Sequence, residues 1–592
     1  MMNQLKGRTL LVAMAFSLGF TVISCRLIYL QLVQHHKYKD LAIKMHYGVE
    51  TIPAKRGNIL DRNGQALAQT IEVYDLRIDG KLVLEDPEPL TKVAKILRQT
   101  SVDLSARINP NNRYILLKRE LSEQQYEELL SLSYKPLIFK ERKKRIYSNG
   151  SHGSHVLGFT NVKSRRTELT QQDMNVEVGM SGVEWAMERY LAGEPGERRI
   201  VKDRKKREIA AYRKIDRAPR NGQHVVLTID QVVQHIVETE ADKLIEKHAP
   251  ENLHIIVADP QTGEILALTN RPTFDPNNRS TMLPASLRNP SIMNVYEPGS
   301  TFKVVALAAA LSEHIVGLDS KIFCENGLFN YEGVRVADSR DYGTITVRKG
   351  LMKSSNIVFA KLGLALGQDR FYRYIRNLGF GEKTQTKGLA LNGEEKGILR
   401  PPNYWSKPSL TRIPMGYEVA VTNLQMTMAF CAFANGGRLM EPRLVKAVVD
   451  EKGDISKEYP SRLVRQVFAS SVAEEVLKGL RDVVSEEGTG RGAGLDDLVV
   501  GGKTGTAQKV VNHTYSDLHH VASFIGYVGA EDSRGRVTPS FVVSVVVDDP
   551  KGSMYYGGQV AVPAFKSIAN QIASYMNLRR GGIQTIAKAE DR

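Results

Sequence analysis

Residues 297–311 read Glu-Pro-Gly-Ser-Thr-Phe-Lys-Val-Val-Ala-Leu-Ala-Ala-Ala-Leu, a turn running straight into a strongly apolar helix. Ser300 is therefore expected at a helix N-terminus, where free backbone N–H groups can polarise a carbonyl oxygen. Lys303 follows one turn later on the same face, within reach of that hydroxyl. A lysine on an apolar helix is costly to bury unless it has a partner or a task. A serine hydroxyl needs a neighbouring base before it attacks an acyl carbon, and a neutral lysine can be that base. Lowering a lysine pKa from ~10.4 toward 7 takes on the order of 4–5 kcal/mol, supplied by desolvation and a nearby positive charge.

Upstream, His224–Ile229 reads as a strand and Asp230 as a helix N-cap. From Gln231 to His248 the apolar residues Val232, Val233, Ile236, Val237, Ala241, Leu244 and Ile245 share one helical face. A hairpin follows, His254–Asp259 and Glu264–Leu268 around a Pro-Gln-Thr-Gly turn. Downstream, three more strands are expected at Leu498–Gln508, Val521–Val528 and Ser540–Val547, with a long helix-rich stretch between the two strand groups. Strands at both ends and helices in the middle imply an α/β domain built on an antiparallel sheet.

Two further motifs stand in order after Ser300-Thr-Phe-Lys303. Ser354-Ser-Asn356 precedes an apolar helix, and its hydroxyl and amide, two residues apart, can relay a proton and orient a peptide; an ordinary helix cap is the alternative. Lys503-Thr-Gly505 lies on a strand, and Lys503 is the candidate for the positive charge beside Lys303. Strand alternation puts Thr504 and Thr506 on one face, while Gly505 lets a substrate backbone come close. Gly501-Gly-Lys503 lacks P-loop spacing, and Gly488–Gly494 is not followed by the helix a dinucleotide loop requires. It reads as a flexible loop leading into the strand.

At 592 residues the chain exceeds one ordinary core. The net charge of +16 is concentrated partly in Glu141–Arg145, Lys202–Arg207 and Arg213–Arg217, either contacts to a polyanion or solvated loops and strand edges. Cys25, Cys324 and Cys431 are too few for a disulfide framework, and the thirteen histidines hold no metal-binding spacing. At the N-terminus, Thr9–Cys25 is uncharged and mostly apolar, and Leu27–Val33 continues it beyond Arg26. Together they suffice to cross roughly 30 Å of hydrocarbon, with Arg26 snorkelling. A cleaved signal peptide, or lipidation at Val22-Ile-Ser-Cys25, is the alternative; the apolar run past the cysteine favours a retained helix. The sequence from Gln34 to Arg220 mixes short strands, turns and basic runs, with a Ser122/Gln125 capping box opening one of its few helices. Arg213–Gly222, with prolines and charges, reads as a linker.

The Ser-x-x-Lys, Ser-x-Asn and Lys-Thr-Gly triple is a known signature of β-lactamases and penicillin-binding proteins. The surrounding residues narrow it. Tyr296–Lys303, Lys503–Lys509, Ser523–Tyr527, Tyr555-Tyr-Gly-Gly558 and Arg56–Gly64 resemble class B penicillin-binding proteins; His155–Phe159 and Gly182–Glu184 resemble that family's non-catalytic pedestal. Glu297 makes the chain most similar to the division-specific branch. The resemblance implies a β-lactamase/DD-peptidase-like α/β transpeptidase domain with a helical subdomain, an α+β pedestal and one transmembrane helix. Its expected divisions are a cytoplasmic tail (1–8), the membrane helix (9–33), the pedestal (34–220), the transpeptidase (221–577) and a C-terminal tail (578–592). It further implies a serine-type peptidoglycan D,D-transpeptidase without a cofactor, acting on stem peptides and acylated by β-lactams. Ser300 is then the nucleophile, Lys303 the base, Ser354 the proton shuttle and Asn356 a substrate positioner. Lys503, Thr504 and Thr506 hold the terminal carboxylate beside Gly505, and the Ser300 and Thr506 N–H groups form the oxyanion hole. Implied partners are a membrane-embedded glycosyltransferase and other divisome proteins, not nucleic acid, at the bacterial inner membrane with the catalytic domain outside. A β-lactamase or β-lactam sensor, an elongation-specific transpeptidase and a non-catalytic wall-binding scaffold are the competing readings.

Overall fold

The computed structural model describes residues 2–39, 47–166, 173–201, 214–384, 388–389 and 391–578. The basic run at 202–207 and nearly all of the expected C-terminal tail lie outside them. The chain forms two compact units. The first comprises Met1–Lys55, Ser164–Met174 and Ala192–Gly222. Its helix Met2–Ile28 passes into a π-helical turn at Tyr29–Val33. The stretch Gly7–Val33, 27 residues, is long and apolar enough to cross a membrane. Tyr47–Ile52, Gly196–Val201 and Lys214–Arg217 make a three-stranded sheet with Gly196–Val201 in the centre. The expected linker thus carries an edge strand. Lys-Ile-Asp-Arg is too short and too charged to announce a strand, and it holds register partly because Arg217 pairs with Glu197 at 3.2 Å.

The second unit contains Arg56–Lys163, Asn175–Leu191 and Gln223–Arg592. Its central sheet is built from β1 (Asn252–Ala258), β2 (Ile265–Arg271), β3 (Val499–Val511), β4 (Thr514–Glu531) and β5 (Val537–Asp548), in the order β2-β1-β5-β4-β3. Every pairing is antiparallel, as the strand grouping predicts. Alternation on these strands supplies two cores. Leu253, Ile255, Val257, Val543, Val545 and Val547 face one way, onto α1 (Gln231–His248) and the C-terminal helix Gly557–Tyr575. Ile256, Ile525 and Val542 face the other, onto the helix-rich stretch that includes α2 (Lys303–Ser312) and α3 (Asn356–Leu366). Helices therefore cover both faces of the sheet, with β3 at its edge. Asp230 caps α1 as expected, accepting from Val232 and Val233 N–H; Val232 itself is 42% exposed and stands outside the predicted apolar face.

The pedestal segments of this unit are tied together by charge. Glu184, fully buried, accepts from Arg56 at 2.6 Å and from Arg145 at 2.7 Å. Arg145 ends the basic run 141–145, so one of its charges is internal, while Arg142 and Lys144 pair with Glu120 on the surface. Asp61, in the Arg56–Gly64 motif, accepts the N–H groups of Asn63 and Gln65, and its other oxygen accepts from Gln231 at the start of α1. Burial alone would raise the Glu184 pKa; the Arg145 and Arg56 guanidinia hold it below the usual carboxylate range. A depressed folded-state pKa stabilises above the ordinary glutamate range and loses that contribution as pH falls through the folded value. Glu184→Ala leaves two buried guanidinium groups without their shared anion, and thermal denaturation should show a loss of about 3–5 kcal/mol.

Candidate active site

Ser300 lies in a single 3-10 turn, Gly299–Phe302, that leads into α2 at Lys303. This turn stands one step ahead of the α-helical start the sequence predicts. It is pressed between two glycine-bearing segments. Gly416, at φ +85°, sits so close that a Cβ there would meet Gly299 O at 2.1 Å, and Gly299 N–H donates to Gly416 O. On the other side, a Cβ on Gly505 would come within 2.4 Å of Ser523 Oγ, 3.0 Å of Thr301 and 3.1 Å of Pro298 O. Ser523 of β4 and the segment carrying Ser300 therefore leave no room for a side chain at Gly505.

The three motifs converge on one hydroxyl. Ser354 Oγ lies 3.0 Å from Ser300 Oγ, 3.2 Å from Lys303 Nζ and 3.1 Å from Lys503 Nζ. The remaining Lys303 hydrogens go to Ser354 O at 2.6 Å and Asn356 Oδ1 at 2.8 Å. Lys303 is thus linked to Ser300 through Ser354, a geometry that the one-turn spacing did not disclose. Ser354 achieves it from a left-handed backbone, φ +59°, which costs a non-glycine residue about 1–2 kcal/mol. Lys503 Nζ also donates to Thr504 O at 3.1 Å.

Both lysine side chains are fully buried. Desolvation pulls Lys303 down to about 7, partly opposed by the negative charge of Asp338. Lys503 is driven well below its ordinary value, first by desolvation and then by the charge of Lys303. Two ammonium groups facing one hydroxyl disfavour each other's protonation, so a neutral amine is available here near neutral pH.

Two contributors, Asp338 and Thr489, were not legible in the sequence. Asp338, half-buried after the strand Val334–Ala337, accepts from Ser355 Oγ, Asn356 N–H and Ile357 N–H. Nothing in the surrounding Ala-Asp-Ser-Arg marks it. Thr489, in the glycine-rich loop read as flexible, accepts from Thr504 Oγ1 at 3.0 Å. That loop is anchored: Thr489 N–H donates to Met352 O and Gly490 N–H to Val483 O. Thr506 Oγ1 accepts from Gly557 N–H at 3.0 Å, which docks the Tyr555–Gly558 motif on β3. Glu297 accepts from Glu418 N–H and Tyr515 OH, bracing the Ser300 turn against the Gly416 loop.

Comparison with known proteins identifies two domains in the chain. Residues 253–570 match the penicillin binding protein transpeptidase domain, and residues 51–227 the penicillin-binding protein dimerisation domain. Stage V sporulation protein D of Bacillus subtilis is 32% identical, over 95% of this chain and 85% of that protein. The peptidoglycan D,D-transpeptidase FtsI of Escherichia coli K12 is 28% identical, over 98% of this chain and 93% of that protein. Among solved structures, penicillin binding protein 3 of Mycobacterium tuberculosis complexed with aztreonam is 26% identical, with a TM-score of 0.67, covering 89% of this chain and 98% of that one. With the three motifs gathered at one buried hydroxyl and both domain matches in place, the chain belongs to the class B penicillin-binding proteins.

Proposed function

We propose that this protein is a peptidoglycan D,D-transpeptidase that cross-links stem peptides through an acyl-serine intermediate, in septal wall synthesis. The observation that carries the reading is the shared Ser354 hydroxyl, within hydrogen-bond reach of Ser300 and of both buried lysines. Ser300 Oγ attacks the penultimate D-alanine carbonyl. Its proton passes to Ser354 Oγ as the Ser354 proton passes to neutral Lys303. The same relay, reversed, delivers a proton to the departing D-alanine amine. A side-chain amine of a neighbouring stem then attacks the acyl-enzyme and releases Ser300. Backbone N–H groups of Ser300 and Thr506 face the developing oxyanion, and Asn356 positions the peptide. Lys503, Thr504 and Thr506 receive the terminal carboxylate, the Thr504 hydroxyl turning from Thr489 Oγ1 to donate to it. A β-lactam enters by the same attack and leaves Ser300 acylated.

The septal role is supported by the similarity to FtsI and by Glu297 in the nucleophile motif. The helix over Gly7–Val33 serves as a single-pass anchor in the inner membrane. Because cross-linking takes place outside the cytoplasm, residues after about 34 lie there, with the pedestal at 34–220 and the transpeptidase at 221–577. Ser17 and Gly19 offer close approach to the helices of a membrane-embedded polymerase.

Four outcomes are expected. Ser300→Ala should abolish fluorescent-penicillin labelling of a folded protein; stoichiometric labelling at another serine contradicts the assignment. Acylation of the wild type should fall as pH drops through about 7, because protonated Lys303 cannot accept a proton. Lys303→Arg should fail across that range, since arginine stays charged. In osmotically opened cells, external protease should digest the catalytic unit and spare the anchor, whereas a lipidated mature chain beginning at Cys25 would overturn this topology.

A further inference from the structure

The Ser354–Asn356 turn carries the relay, yet its own backbone is strained at Ser354, so a specific set of contacts must hold it. Those contacts come from two consecutive residues at the end of the strand Val334–Ala337. Asp338 Oδ2 accepts from Ser355 Oγ at 2.6 Å. Asp338 Oδ1 accepts from Asn356 N–H at 2.5 Å and Ile357 N–H at 3.1 Å. Next to it, Ala337 O accepts from Asn356 Nδ2 at 2.9 Å. The last bond decides which way the Asn356 amide points: with Nδ2 on Ala337 O, Oδ1 is the end that meets Lys303. Ser355 in turn caps α3 by accepting from Val358 N–H, so its hydroxyl proton is committed to Asp338.

We propose that Asp338 is a positioning residue for the acylation step: its carboxylate locks the Ser354–Asn356 turn to the end of the strand Val334–Ala337 and so holds Ser354 and Asn356 in place against Lys303. It touches neither Ser300 nor the Lys303 ammonium through any hydrogen bond among the described residues. It acts through Ser355 and Asn356. The groups that face Lys303 are Lys503 from β3, Ser354 and Asn356 from the turn, the Phe359 ring from α3 at 5.7 Å, and Asp338 behind the turn. Of these, Asp338 supplies negative charge and Lys503 positive charge. Removing the Asp338 charge therefore lowers the proton affinity of Lys303, and the neutral base persists to lower pH.

The inference rests on the acyl-serine reading above, and its test separates the two. Full-length wild type, Asp338→Ala and Asp338→Asn are compared for second-order acylation by benzylpenicillin across the neutral pH range, with thermal melting as a check on folding. Asp338→Ala frees the turn, and a displacement of the relay by about an ångström should slow acylation about a hundredfold. Asp338→Asn keeps an acceptor for Asn356 N–H, so its loss should be smaller, while its acid limb moves to lower pH than that of the wild type. A purely structural role would reduce the rate without moving that limb. An unmoved acid limb in Asp338→Asn, or Asp338→Ala acylating within about twofold of wild type, overturns the proposal. If Asp338→Ala does not fold, the acid limb of Asp338→Asn decides. Wild-type protein that is not acylated at Ser300 overturns the functional reading and this proposal with it; normal wild-type acylation with unaffected variants sinks the role of Asp338 alone.

Discussion

Two lysine side chains without solvent exposure point at the same serine hydroxyl, and the rest of the catalytic unit is arranged around that arrangement. Burying one ammonium is unfavourable by several kcal/mol, and burying two within reach of a common oxygen adds their repulsion. The chain accommodates this by letting the pair give up proton affinity. Lys303 settles at about 7 and Lys503 is held well below its ordinary value, so at neutral pH the site does not have to contain two full charges. The same desolvation that opposes folding leaves an unprotonated amine one hydroxyl away from Ser300. Stability and reactivity here are two readings of one electrostatic fact.

Holding such a pair in register requires supports that move very little. The nucleophile turn is fixed by the absence of side chains at Gly416 and Gly505, where any Cβ would collide with the backbone or with Ser523. Lys503 comes from the edge strand of a sheet whose inner strands are buried on both faces, and that rigidity is passed to its Nζ. The Ser354 turn is anchored from a third direction by Ala337 and Asp338. Three independent elements therefore meet at one hydroxyl, and none can shift without opening the relay. The pedestal segments Arg56–Lys163 and Asn175–Leu191 pack within the same unit, so the buried Arg56–Glu184–Arg145 network belongs to the platform on which these elements stand.

Much of this was legible in the residues. The helix Gln231–His248 and its Asp230 cap, the Ser122/Gln125 capping box and the antiparallel sheet follow from periodicity and turn chemistry, because those signals are local. The motifs at Ser300, Ser354 and Lys503 marked, by type and spacing, side chains that the structure brings together. The relay role of Ser354 was read from its motif and the family resemblance, but the contacts that join the three motifs were not. The link from Lys303 to Ser300 runs through a residue 54 positions from Ser300, and no spacing rule on α2 can show that. Asp338 and Thr489 escaped notice because each works by a long-range hydrogen bond from a segment whose sequence is ordinary. That Ser523 and the Ser300 segment crowd Gly505 is likewise a tertiary fact. The strand Lys214–Arg217 was hidden for a similar reason: its partner, not its composition, makes it a strand.

The claim at the centre of this account is that Ser354 Oγ is the junction through which the Ser300 proton reaches Lys303. Its most direct test is the rate of acylation of Ser354→Ala by benzylpenicillin, measured with the fold verified by melting. Loss of the junction should slow acylation by about two to three orders of magnitude while Ser300 remains the only residue labelled. Acylation of Ser354→Ala at close to the wild-type rate would show that Lys303 takes the proton from Ser300 directly and would contradict the relay.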